Sequence, residues 1–174
     1  MSDDELFREK LSNQYARAEF WAVERFQYLS SLCESPIEEM FLASMLAELM
    51  ATESGSGFSA RLSKFAIQPQ ERVGPYRLDF AIGYNPAEPM DVLADPTSIR
   101  IAVECDGHAF HEKTKEQAAR DKARARAITL EGWTVLRFTG SEIYADADEC
   151  ARAVMDQITA EFKSRVDGGF QWGR

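Results

Sequence analysis

At 174 residues with 45% hydrophobic content, the chain is long enough for one domain with a core of its own. No apolar run approaches the about 20 residues needed to cross a membrane, and the acidic start Met1-Ser2-Asp3-Asp4-Glu5 does not suit a signal peptide. A net charge of −9 opposes a uniformly basic surface, and three scattered cysteines (Cys33, Cys105, Cys150) without a CxxC pair argue against structural zinc and a disulfide framework, which makes a cytoplasmic location the expectation.

The spacing of Leu6, Tyr15, Phe20, Trp21, Val23, Phe26 and Leu29 predicts one long helix over residues 3–31. Ser35-Pro36-Ile37-Glu38 is a helix start, with Ser at the N-cap, Pro at the first helical position and Glu three residues after the cap. That helix runs to about Met50, where Thr52–Gly57 breaks it. A strand over Phe65–Gln70 follows, with Pro69 suited to an edge or a strand end. After a turn at Val73-Gly74-Pro75 comes a second strand, Tyr76–Tyr84. Residues 85–98, punctuated by prolines, form a loop with a mobile tip. The third strand is Ile99–Asp106. A loop carrying His108 and His111 leads to a helix from Thr114 to Leu130, ended by Glu131-Gly132. Trp133–Phe138 is the fourth strand, and an amphipathic helix spans roughly Asp146–Val166. Residues 167–174 read as a loose tail. The order α-α-β-β-β-α-β-α, with a helix between the third and fourth strands, implies an α/β domain with a mixed central sheet.

Period-two alternation sorts the acids. Leu78, Phe80 and Ile82 would share one face and Asp79 the other. Ile101, Val103 and Cys105 share a face that Glu104 and Asp106 avoid. If the two strands pair, three carboxylates converge on one side of a sheet whose other side is apolar. Crowded carboxylates repel, and a divalent cation relieves that repulsion. Mg²⁺ prefers oxygen ligands, so Asp79, Glu104 and the Cys105 carbonyl suit it, with Mn²⁺ equivalent in vitro. Each residue also has a structural reading. Glu38 suits a capping box, Glu104 and Asp106 suit a solvent-facing strand edge, and Arg137 suits an ion pair with Glu142 or Asp121. From Glu112 to Arg126, six basic residues stand against three acidic ones, which fits either a solvated helix face or a contact with phosphates.

Four stretches together resemble the PD-(D/E)XK nuclease superfamily, and within it small bacterial proteins similar to very-short-patch-repair endonucleases. They are Ser35-Pro36-Ile37-Glu38; Pro69-Gln70 followed by Leu78-Asp79-Phe80; Val103-Glu104-Cys105-Asp106-Gly107 with a histidine shortly after; and Asp121-x-x-Arg124 leading to Gly132-Trp133-x-Val135-Leu136-Arg137-Phe138. The resemblance implies a restriction-endonuclease-like core (α-β-β-β-α-β) over residues 35–166, preceded by a helical extension over 1–34 and closed by a C-terminal helix. It implies a metal-dependent phosphodiesterase acting on DNA, with Glu38, Asp79, Glu104 and Asp106 as its acids and Mg²⁺ (or Mn²⁺) held by Asp79, Glu104, the Cys105 carbonyl and Asp106. Asp106 stands where that superfamily usually has lysine, which leaves open whether Lys113 or Lys115 supplies the positive charge or catalysis is lost. His111 could pass a proton to the leaving group. Lys113, Lys115, Arg120, Lys122 and Arg124 would meet nucleic acid, with Gln70 and Arg137 in support. Cutting both strands would call for two copies, so a homodimer is one expectation. The alternative is a nuclease fold without turnover that binds nucleic acid or a protein.

Overall fold

The computed structural model describes residues 24–51, 64–106 and 115–172. The chain divides into two compact units, Met1–Leu32 and Cys33–Arg174. The described part of the first is a helix over residues 24–30, after which the Ser31 hydroxyl donates to the Tyr28 carbonyl at 2.7 Å. The rest of the expected N-terminal helix lies outside the described residues.

The second unit begins with α1 (Pro36–Ala51), which starts where the Ser-Pro-x-Glu signal places it. The Glu38 amide donates to Ser35 Oγ at 3.3 Å, while Pro36 has no N–H to satisfy. Phe41, Leu42 and Met45 are fully buried along one side of α1, each contributing about 1.5–3 kcal/mol of apolar burial. Six strands follow around one crossover helix: β1 (Phe65–Pro69), β2 (Arg72–Val73), β3 (Tyr76–Arg77), β4 (Phe80–Tyr84), β5 (Ile99–Asp106), α2 (Lys115–Leu130) and β6 (Thr134–Thr139). Two helices close the chain, α3 (Gly140–Ala145) and α4 (Ala147–Asp167).

The main sheet has the order β1-β4-β5-β6. β4 pairs antiparallel with both β1 and β5, whereas β6 runs parallel to β5 because α2 carries the chain back across the sheet. The sheet is therefore mixed, and the chain has the restriction-endonuclease-like α/β fold expected of it. β1 is an edge strand ending at Pro69, where the missing N–H costs no ladder bond.

Two sequence expectations change. The Tyr76–Tyr84 strand is not continuous. β3 folds back on β2 in a two-stranded ribbon, and the chain resumes as β4 only at Phe80. Between them Leu78 N–H donates to the Glu71 carbonyl at 2.8 Å and Gln70 N–H to the Asp79 carbonyl at 2.9 Å. The break resets the alternation, so Leu78 packs with Ala81, Ala102, Val73, Ile128 and Trp133 rather than on the Phe80 side. The acid-bearing face of the sheet is consequently not polar throughout. Its centre is this second apolar cluster, and the carboxylates occupy one end. On the opposite face Phe41 meets Phe80 with ring centroids 5.1 Å apart and Phe138 at 5.9 Å.

The 85–98 segment is tied at its base by Asn85, whose amide nitrogen donates to Ser98 Oγ at 3.0 Å and Thr97 Oγ1 at 3.1 Å, while Met90 is fully exposed. Past α4, Phe170 and Trp172 pack edge to face with centroids 5.0 Å apart, beneath the Arg165 guanidinium. Among the described residues, no helix is long and apolar enough to cross a membrane.

Candidate active site

Asp79 precedes β4 and Glu104 lies two residues before the end of β5. The antiparallel register ends at Phe80 and Val103, and just beyond it the Asp79 and Glu104 carboxylates lie close enough for the Asp79 charge to act on Glu104. Asp79 Oδ2 accepts from the Cys105 amide at 2.6 Å, which fixes the carboxylate against the β5 backbone. Asp79 titrates above the usual carboxylate range. Burial is the main cause, reinforced by the charges of Glu38 and Asp106 and opposed by the Cys105 N–H and Arg124. Asp106 ends β5 on the same side as Glu104.

Glu38 comes to this end of the sheet from the first turn of α1 and is 6% exposed. Its Oε1 accepts from Ser35 Oγ at 2.8 Å, and its Oε2 accepts from the Glu34 amide at 2.9 Å and from Gln70 Nε2 at 2.8 Å. Glu38 thus caps its helix and faces the cluster at once. Gln70, whose role the sequence left open, is the strut that joins Glu38 to the end of β1. Its backbone φ of 57° turns the chain sharply there.

Glu104 is held differently. Arg124, on α2, forks onto it: Nη1 donates to Oε2, Nη2 donates to Oε1 at 2.9 Å, and Nη2 also donates to the Arg77 carbonyl. The Glu104 side chain is only 5% exposed. Burial is the largest influence on it and raises its carboxyl above the usual range, with the Asp79 charge adding to the rise and Arg124 and Arg137 opposing it. Arg137 sits beside Glu104 in the parallel β5–β6 register. The Glu142 carboxylate, one sequence-stated partner for Arg137, instead closes a capping box with Thr139 at the start of α3. Burial, then the Asp79, Glu38 and Glu104 charges, push the Cys105 thiol up, so it stays protonated and is no nucleophile.

The sequence grouped Arg124 with the basic residues facing nucleic acid, whereas the fold engages its guanidinium inside the acid cluster. The signal for this was Asp121-x-x-Arg124 among the ordered motifs, but nothing local to α2 reveals which carboxylate it reaches. Arg120 and Lys122 are exposed on the same helix. His108, His111 and Lys113 lie outside the described residues, as does the side chain of Lys115.

A divalent ion does not fit this set as it stands. Asp79 and the Cys105 backbone offer hard oxygens, but both oxygens of Glu104 are taken by a guanidinium, and among the described residues no group of three or more His, Cys, Asp or Glu side chains is placed to hold a metal.

Residues 60–158 match the family described as REase_MTES_1575, a restriction-endonuclease-like family of the PD-(D/E)XK type. That is more than half of the chain, and it includes Gln70, Asp79, Glu104, Asp106 and Arg124. The chain belongs to this family. It is also 35% identical over 107 residues to the uncharacterized protein YcjD of Escherichia coli (strain K12), a match covering 62% of this chain and 73% of that one. No solved structure matches it. Within the REase_MTES_1575 match fall the whole sheet and the crossover helix, while Glu38 lies ahead of it.

Proposed function

We propose that this REase_MTES_1575 member is an endonuclease that hydrolyses phosphodiester bonds of DNA in the cytoplasm. The observation that carries the reading is that Asp79, held on the Cys105 amide, feels the charges of Glu38 and Asp106 and itself acts on Glu104 at one sheet end. Buried carboxylates held at raised proton affinity are costly to a fold and are kept where charge chemistry is done. A nuclease of this type would hold Mg²⁺ or Mn²⁺ through Asp79, Asp106 and the Cys105 carbonyl, with Glu104 available only once Arg124 leaves it, and the ion would supply an activated water and neutralise phosphoryl charge. The chain's own part is to fix those oxygens: Cys105 N–H orients Asp79, and Gln70 and Ser35 orient Glu38. The exposed Arg120 and Lys122 would meet backbone phosphates, and two copies would serve a double-strand cut.

One observation favours the second reading, a nuclease fold that binds without cutting: Asp106 replaces the usual lysine while Arg124 neutralises Glu104. Plasmid DNA separates the two. The nuclease reading expects Mg²⁺- or Mn²⁺-dependent nicking that stops with chelator and is lost in Asp79→Ala and Glu104→Ala. Salt-sensitive DNA binding with no nicking by the parent protein in either metal would establish the binding module instead.

A further inference from the structure

A cavity of about 460 Å³ opens on the acid-bearing face of the sheet, toward the start of β5. Its size lies in the range of small-ligand sites. Arg100, Trp133, Glu71, Arg72, Asp91 and Glu131 line it. Arg100 precedes Glu104 by four residues on β5 and shares its face, so the cavity lies about 13 Å along the strand from the acid cluster. The β2–β3 ribbon borders both places. Arg72 lines the cavity, and the carbonyl of its register partner Arg77 accepts from Arg124.

Arg100 is the unusual member of the lining. Its guanidinium lies over the Trp133 ring, 5.2 Å from the centroid, and Nη2 donates to the Glu131 carbonyl at 2.8 Å. Nε is buried without a hydrogen-bond partner. Among the described residues no carboxylate pairs with this group, although Glu131 and Asp95 act on it at longer range. A half-buried guanidinium without a counter-charge costs the fold stability. The side chains of Glu71 and Arg72 also make no hydrogen bond or ion pair among the described residues. The lining thus sets three carboxylates against two guanidiniums. That balance disfavours a phosphate and suits a neutral planar group with donors and acceptors on its edge.

We propose that this cavity receives a single guanine base. Guanine offers O6 and N7 to arginine and an amino group to a carboxylate, and a guanidinium backed by an aromatic ring is a platform on which a base stacks. The base comes either from a free nucleoside or from a strand whose backbone crosses the acid cluster, in which case it leaves its stack to enter the cavity. The strand source rests on the nuclease-fold reading, whereas the base site itself does not.

The test uses the full chain without metal. The Trp133 indole N–H, followed by NMR, should shift on titration with millimolar 2′-deoxyguanosine, and thymidine should bind about tenfold more weakly. Glu71→Ala and Arg72→Ala, whose side chains bond to nothing in the described fold, should each weaken deoxyguanosine by about fivefold and leave the melting temperature unchanged. An oligothymidine carrying one central guanine identifies the source. Tighter binding than plain oligothymidine, lost in both variants, assigns the site to a base in a strand; no gain from that guanine assigns it to the free nucleoside. An unmoved Trp133 resonance, equal affinity for the two nucleosides, or unchanged affinity in both variants would overturn the proposal. Guanine binding by a chain that never nicks DNA keeps the cavity and removes the nuclease reading; nicking by a chain that binds no base does the reverse.

Discussion

Gln70 Nε2 donates to Glu38 Oε2 at 2.8 Å, joining residues 32 apart in sequence across the mouth of the acid cluster. The backbone of Gln70 is left-handed, at φ 57°, a conformation that L side chains resist. Two effects therefore oppose each other at one position. Gln70→Ala loses the charge-assisted bond and keeps the strain, and should cost about 2–3 kcal/mol. Gln70→Gly loses the bond but relieves the strain, and should be about 1 kcal/mol more stable than Gln70→Ala, the reverse of the usual order of the two residues. Denaturant titration of the three proteins reads this directly, and a glycine variant less stable than the alanine one would refute it.

Asp79 titrates above the ordinary carboxylate range, so the folded protein binds more protons than the unfolded chain in the window between its unfolded and folded values. Stability attributable to this group is full below that window and is lost as pH rises through it. Asp79→Asn keeps an oxygen for the Cys105 N–H and cannot ionise. In chelator at neutral pH its Tm should exceed that of the parent by about 2–4 °C, and the gap should close near pH 4. A gap independent of pH would show that charge is not its origin.

Removing the acid from the Arg124 fork should act in the opposite direction. Glu104→Gln removes the negative charge and one of the two acceptor oxygens that face Arg124, and should destabilise the fold by about 2–3 kcal/mol, less than a fully buried pair because Arg124 is partly solvated. The double variant Glu104→Gln/Arg124→Gln should recover part of that loss. Urea midpoints of the four proteins complete the cycle, and strict additivity would mean the two side chains do not interact.

Helix α2 ends in a Schellman motif: Trp133 N–H donates to the Ile128 carbonyl at 3.4 Å and Gly132 N–H to the Thr129 carbonyl at 3.0 Å, while Ile128 and Trp133 pack together. Gly132 has φ 82°, and a Cβ there would lie 2.7 Å from Arg100 Nη2. Gly132→Ala should cost about 1–2 kcal/mol from the backbone alone, with the arginine displaced in addition. A Tm drop below about 2 °C would contradict this.

Period-two and helical spacing placed the strands and helices of the nuclease-like core to within a few residues, because alternation and capping are written in adjacent residues. Ser35-Pro36-Ile37-Glu38 set the start of α1, and the helix between Asp106 and Trp133 made the last strand parallel. The same local logic could not see that Glu71 and Gln70 bond across to Leu78 and Asp79, since those partners come from a separate strand. That pairing broke the second strand and moved Leu78 to the other face. Nor could it choose the partner of Arg124: on α2 it is one basic residue among several, and only the crossover that lays α2 over the sheet brings it to Glu104. The residues fixed which acids were available. The tertiary structure decided their neighbours, because a charge buried between distant segments is governed by what the fold packs around it.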